Sequence, residues 1–124
     1  EDTVVPRYEL PKLLAGIKAL GPKIVVITDG PKGSSLMDET GAWQAPMYPD
    51  PAPPKNRTGA GDATASTTVA YIIKGLEPKE ALLRGLINAA SVVQGIGAQA
   101  CLLTASQIDE WYAKRPTDFK ATAI

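Results

Sequence analysis

Leu10, Leu13, Leu14, Ile17 and Leu20 recur at the spacing of one helical face, which predicts a helix from about Glu9 with Pro11 in its first turn. Gly21-Pro22 ends it, because glycine accepts the left-handed cap and proline cannot continue the hydrogen-bond ladder. KIVVIT at 23–28 is then a continuous apolar run rich in β-branched residues. Such a run suits a strand covered on both faces, as in a parallel sheet. The glycines and proline of Asp29–Gly33 predict a turn, and Ser34–Asp38 and Ala42–Met47 predict a β-hairpin around Glu39-Thr40-Gly41. The stretch 46–54, PMYPDPAPP, has five prolines in nine residues and is a stiff extended connector, neither helix nor central strand.

From Gly59 to Gly75 the pattern is helical again. Ala63, Ser66, Ala70 and Ile73 share one side, flanked by Ala65, Val69 and Ile72, and the small residues allow close approach to a sheet or another helix. Pro78-Lys79-Glu80 starts a further helix reaching to about Gly95, with Leu82, Leu83, Leu86, Ile87, Ala90 and Val93 as a broad buried face. Gly85 inside it costs about 1 kcal/mol relative to alanine, so close packing is expected there. A last helix, Ser106 to about Lys114, is expected with Ser106 as N-cap and Asp109 completing a variant capping box. The closing PTDFKATAI reads as a tail packed on the surface or on an edge. Strand, hairpin and successive helices without a repeat predict part of an α/β layer, not a whole doubly wound sheet.

Composition narrows the chemistry. The 124 residues, 44% hydrophobic and 21% charged, are ordinary for one globular unit. Thirteen basic residues balance thirteen acidic ones, scattered along the chain, so no nucleic-acid or anionic-membrane surface is expected. With no histidine, Ser-His-Asp triads, Cys-His dyads and histidine-ligated metals are excluded. The single cysteine, Cys101, cannot form an internal disulfide and reads as a small buried apolar residue. No apolar run has the length of a membrane-spanning helix, and EDTVVPRYEL has no signal-peptide architecture, which predicts a soluble, cytoplasmic chain.

The segment that carries chemistry is PKNRTGAGDATAS, 54–66. Gly59-Ala60-Gly61 leads from a rigid connector straight into a helix, whose first N–H groups have no partners within the helix. Nothing larger than a methyl shields these amides, and the helix dipole favours negative charge beside them. Asp62 sits in the same first turn. An amide cluster next to a carboxylate suits phosphoryl transfer, the amides holding phosphate charge and the carboxylate taking the proton of an attacking hydroxyl. Taken alone, the same residues also describe a tight glycine turn with Asp62 as a dipole complement. Arg57 could pair with phosphate or with a neighbouring acid, and Lys32 could reach a phosphate or simply be solvated. Asn56-Arg57-Thr58 is formally a glycosylation sequon, set aside because the chain shows no signal peptide.

NRTGAGD at 56–62 resembles the D-T-x-G-A-G-D signature of the ribokinase-like (PfkB) carbohydrate and nucleoside kinases. VVITDGPKGS at 25–34 is similar to that family's strand-plus-turn T-x-G-x-x-G element, with Thr28, Gly30 and Gly33 matching. INAASVVQGIGAQ at 87–99 resembles its later helix and Gly-Ala loop. The blocks occur in the family's order over nearly the whole chain. The resemblance implies an α/β, partial three-layer ribokinase-like fold, residues 1–124 being the carboxyl-terminal nucleotide-binding part of an incomplete domain. The amino-terminal part, with most sugar-binding residues and the β-sheet lid, is expected to be absent, leaving an open strand edge and self-association or pairing with the missing part.

For the site, the resemblance implies Asp62 as catalytic base and the amides of Gly59, Ala60 and Gly61 as anion hole. It places Thr28, Gly30 and Gly33 at the nucleotide's phosphates and ribose, Asn88 near adenine or ribose, and Gly97 and Ala98 in the loop beside the nucleotide. The implied partners are ATP and a sugar or nucleoside acceptor, with Mg2+ carried by phosphates and water and no protein metal cluster. Asn56 stands where the motif has aspartate, a position that helps shape the family's monovalent-cation loop, which puts potassium activation in doubt. Thr64 replaces a commonly bulky residue. The readings left open are a small-molecule kinase part, a nucleotide-binding module without catalysis of its own, and a purely structural fragment.

Overall fold

The computed structural model describes residues 9–97 and 101–124. Helix α1 (Leu10–Lys18) is followed by β1 (Val25–Thr28), a single 3-10 turn (Gly30–Lys32), β2 (Ser34–Met37) and β3 (Ala42–Ala45). After the proline-rich connector come α2 (Ala60–Ile73), α3 (Pro78–Val92), α4 (Ala105–Ala113) and a two-residue strand, β4 (Thr122–Ala123). The four strands form one sheet in the order β1-β2-β3-β4, every pair antiparallel. The parallel neighbour expected for 23–28 is therefore not among the described residues. β1 lies at the edge of the sheet, with Val25 buried and Val26 exposed.

Strand alternation divides the sheet into two faces. Helix α1 packs on β1 and β2, burying Leu10 and Leu14; Leu20, expected on its apolar face, lies past the helix end and is exposed. Leu36 and Ala45, on the face that also carries Val26, join the main core with Leu82, Leu83, Leu86 and Ile87 of α3. The result is a layer of helix, a sheet, and a layer of helices. The hairpin turn is tied by Asp38, whose Oδ1 accepts from the Thr40 N–H at 2.8 Å and the Thr40 hydroxyl at 2.7 Å.

Helix α2 buries a face different from the expected one. Ala63, Thr64, Thr67, Thr68 and Tyr71 are inside, while Ser66, Ala70 and Ile73 are exposed. Thr64 and Thr68 can be buried because their hydroxyls are satisfied within the helix. Thr64 Oγ1 donates to Ala60 O at 2.9 Å and Thr68 Oγ1 to Thr64 O at 2.6 Å. This face meets Gly85 of α3, where a Cβ would run into Thr68 Oγ1 and lie 2.6 Å from Thr64 O. The close packing expected at Gly85 is what the structure has.

Two expectations near the C-terminus are corrected. Helix α4 is capped by Thr104, two residues before Ser106: Thr104 Oγ1 accepts from the Gln107 N–H at 3.2 Å and Gln107 Oε1 accepts from the Thr104 N–H at 2.9 Å. The neutral Thr-x-x-Gln pair makes both reciprocal bonds of a capping box, so the helix starts earlier. Cys101 is exposed. Its φ of 59° is a left-handed turn, with its carbonyl accepting from Ser91 Oγ at 2.7 Å. The final segment does lie on a sheet edge, as β4 against β3. It also buries Phe119, edge-on to Tyr48 with ring centroids 5.0 Å apart.

Candidate functional site

Backbone geometry makes the glycine turn. Gly59 caps α2 with φ 88°, a left-handed conformation that favours glycine. The turn before it is held by Asn56, whose Oδ1 accepts from the Thr58 N–H at 2.8 Å. Ala60 N–H closes back on Arg57 O at 3.3 Å, so one of the three expected anion-hole amides is engaged in the turn. Gly61 follows in the first helical turn, and no atom lies within 4 Å of where its Cβ would be. The connector is pinned to the end of α3 by Lys55 N–H on Val93 O at 2.9 Å and Gln94 Nε2 on Ala52 O at 3.0 Å. Tyr48 adds a bond from its hydroxyl to Trp111 O at 3.1 Å, and burial pushes its phenol above the ordinary value.

A cavity of about 210 Å³ opens at this turn. Its walls include Thr28 at the end of β1, Gly30 from the turn after it, Ala60 and Gly61 from the start of α2, and Ala89, Ala90 and the capping Val93 of α3. Two sequence blocks some thirty residues apart thus converge on one space. The charged residues on its walls are Asp50 and Arg57, joined by an ion pair of 3.2 Å. Asp50 gave no signal in the sequence, since it lies inside the proline-rich connector with no periodic partner. Asp62 is exposed on the same turn, one residue past Gly61, and does not form part of the cavity wall.

The remaining expected residues lie elsewhere. Gly33 is buried with φ 88°, where a Cβ would run into the Ala45 carbonyl; its position answers to packing of the hairpin. Asn88 is buried, and both ends of its amide are committed: Nδ2 donates to Thr67 Oγ1 and Oδ1 accepts from the Leu103 N–H, each at 2.9 Å. It lines a separate cavity beside Thr67 and Leu103. Gly97 is exposed with φ 104°, and Ala98 lies outside the described residues. Lys32 lines another cavity next to Gln44 and Thr122. Among the described residues no three metal-ligating side chains converge, and no helix is long and apolar enough to cross a membrane.

A family model described as pfkB family carbohydrate kinase matches residues 6–105. No curated protein matches the chain. Among solved structures, the Methanocaldococcus jannaschii nucleoside kinase, an archaeal member of the ribokinase family, is 26% identical with a TM-score of 0.71, covering 75% of this chain and 31% of that one. Arabidopsis thaliana ribokinase complexed with ribose and ATP is 24% identical with a TM-score of 0.75, covering 85% and 34%. A candidate ribokinase II from Escherichia coli, in complex with ATP and Mg2+, is 21% identical with a TM-score of 0.77, covering 93% and 35%. The fold is ribokinase-like, and the chain spans about a third of the length of these proteins.

Proposed function

Because the chain belongs to the pfkB family of carbohydrate kinases, we propose that the cavity between the turn after β1 and the start of α2 holds the phosphates of ATP. The reaction served is transfer of the γ-phosphoryl group to a hydroxyl of a sugar or nucleoside. The observation that carries this reading is the convergence of Thr28 and Gly30 with Ala60 and Gly61 on one cavity wall. Outside the turn itself no protein atom lies within 4 Å of where a Gly61 Cβ would be, and the first-turn amides there stand at the positive end of the helix dipole, which favours an anion.

In this reading Asp62 takes the proton of the acceptor hydroxyl as the acceptor oxygen bonds to the γ-phosphorus. The bond from that phosphorus to the bridging oxygen breaks and ADP leaves. Gly61 and its neighbours in the turn hold the charge that spreads over the phosphoryl oxygens. An exposed Asp62 suits a base that must meet an acceptor arriving from outside these residues. A Mg2+ carried by phosphate oxygens and water would neutralise phosphate charge at this site. Asn56 keeps an acceptor in the turn, but as a neutral group it gives no charge to a monovalent cation. A second reading, nucleotide binding without catalysis by these residues alone, is favoured by the third of a kinase length that the chain spans.

The test is calorimetric titration of the full chain with MgATP, beside Gly61→Val and Asp62→Asn. Gly61→Val has no protein neighbour to displace and is expected to weaken MgATP binding at least about tenfold by covering the amides. Asp62→Asn is expected to keep MgATP affinity and lower phosphoryl transfer to hydroxyl acceptors by roughly 100- to 10,000-fold. Unchanged affinity in Gly61→Val removes the phosphate site from this turn. Transfer detected in neither protein, with MgATP bound by both, leaves the binding-module reading standing.

A further inference from the structure

We propose that Arg57 is a phosphate-contacting residue whose strength as a ligand is set by Asp50. The inference rests on the reading of the cavity as a nucleotide phosphate site. Both side chains lie on that cavity's wall together with Ala60 and Gly61, and Arg57 Nη2 meets Asp50 Oδ2 at 3.2 Å. Among the described residues Arg57 is the one cation on the wall, and in the D-T-x-G-A-G-D pattern its position is a threonine.

The pair is unequal. Asp50 is four-fifths buried, at 19% exposure, while the Arg57 side chain is 49% exposed. Asp50 Oδ1 is buried with no hydrogen-bond partner among the described residues, so the carboxylate holds only part of the guanidinium's fork. The other contact of Arg57, Nη1 to Met47 Sδ at 3.9 Å, is with a weak acceptor. Guanidinium presents five donors in a plane, enough to keep one oxygen of Asp50 and engage two phosphate oxygens in parallel. Asp50 gives the half-exposed guanidinium a single-oxygen contact at 3.2 Å, whereas a bidentate arginine–phosphate pair makes two parallel charge-assisted bonds. Competition for the guanidinium therefore runs in favour of phosphate. Asp50 opposes it twice, by occupying a donor and by placing a negative charge beside an anion site.

The two residues should therefore have opposite effects on one affinity. MgATP and adenosine, which lacks phosphate, are titrated against the full chain and the variants Arg57→Ala, Arg57→Lys, Asp50→Asn and the double variant Arg57→Ala/Asp50→Asn. Arg57→Ala should weaken MgATP about tenfold or more and leave adenosine unchanged, as expected for loss of a charge-assisted contact to phosphate. Arg57→Lys should recover part of the loss, since a point charge remains but the fork does not. Asp50→Asn should tighten MgATP several-fold, and the gain should vanish in the double variant. Unchanged MgATP affinity in Arg57→Ala, equal loss for MgATP and adenosine, or a gain from Asp50→Asn that persists without Arg57 would each overturn the proposal. If Gly61→Val weakens MgATP while Arg57→Ala does not, the phosphate site stands and only the role of Arg57 falls. If both are without effect, the site itself falls.

Discussion

Single residues differ in how far their work can be read from their neighbours in sequence. Gly61 and Asp62 are legible because the chemistry asks for a small residue and a carboxylate in one turn, and the turn is local. Asp50 and Asn88 are not, because what they do depends on partners seven and more residues away: Arg57 for the first, Thr67 and Leu103 for the second. Tyr71 belongs to the same class. It sits on the buried side of α2, yet its hydroxyl has no partner among the described residues. Burial first, and then the charge of Asp109, push its ionisation above the ordinary value of 10.0, with Arg84 pulling the other way. A phenol that ionises less readily in the folded chain contributes stability that is complete below pH about 10 and lost as the pH rises through the folded value. Tyr71→Phe should therefore flatten the fall of stability above pH 10. It should also leave neutral-pH stability unchanged or raise it by about 1 kcal/mol, because it removes an unsatisfied hydroxyl. Chemical denaturation of both proteins between pH 7 and 11 checks it; a Tyr71→Phe variant less stable at pH 7 by as much as a lost hydrogen bond would show that the hydroxyl has a partner.

Secondary-structure elements were more legible than their faces. All four helices stand close to their predicted bounds because proline, glycine and apolar spacing mark them locally. The buried side of α2 was misread because a threonine whose hydroxyl bonds to its own helix packs like valine, a property that a hydrophobicity pattern does not record. The cap of α4 was misplaced for a related reason: two overlapping capping patterns compete, and the winner is settled by geometry. Gly85 is legible in the sequence because its cost inside a helix demands a compensating contact. That contact makes a sharp contrast with Gly16 of α1, where no atom lies within 4 Å of a would-be Cβ. Alanine at either position gains about 1 kcal/mol of helix propensity. At Gly85 the gain is outweighed by overpacking against Thr64 O and Thr68 Oγ1, which costs about 1–3 kcal/mol. Gly16→Ala should accordingly raise the melting temperature and Gly85→Ala lower it. Two shifts of the same sign would mean that α2 and α3 are not held together as the contact implies.

At the scale of the whole molecule, the feature that no local pattern resolves is what covers β1. Its apolar run predicts cover on both faces. The described residues give it β2 alone, with Val26 exposed, and the adjoining surface of α2 carries Val69 at 55% and Ile73 at 80% exposure. Between strand and helix runs a groove of about 580 Å³ lined by Ile24, Val26, Val69, Ile72 and Ile73. An unpaired strand edge beside an apolar groove is a template for another chain, and this chain matches only 31–34% of the length of the related kinases. The 124 residues alone should therefore self-associate in a concentration-dependent way, and more strongly than a surface of scattered apolar residues would. Val69→Lys places a charge in the groove at a position already half exposed, so it should shift the equilibrium toward monomer in sedimentation experiments while leaving the melting temperature of a dilute sample nearly unchanged. Lys74→Ala, at the exposed end of the same helix, serves as the control that should not shift it. A chain that remains monomeric across the accessible concentrations, or one whose association is indifferent to Val69→Lys, would mean that the β1 edge and the α2 stripe are stable against water as they stand.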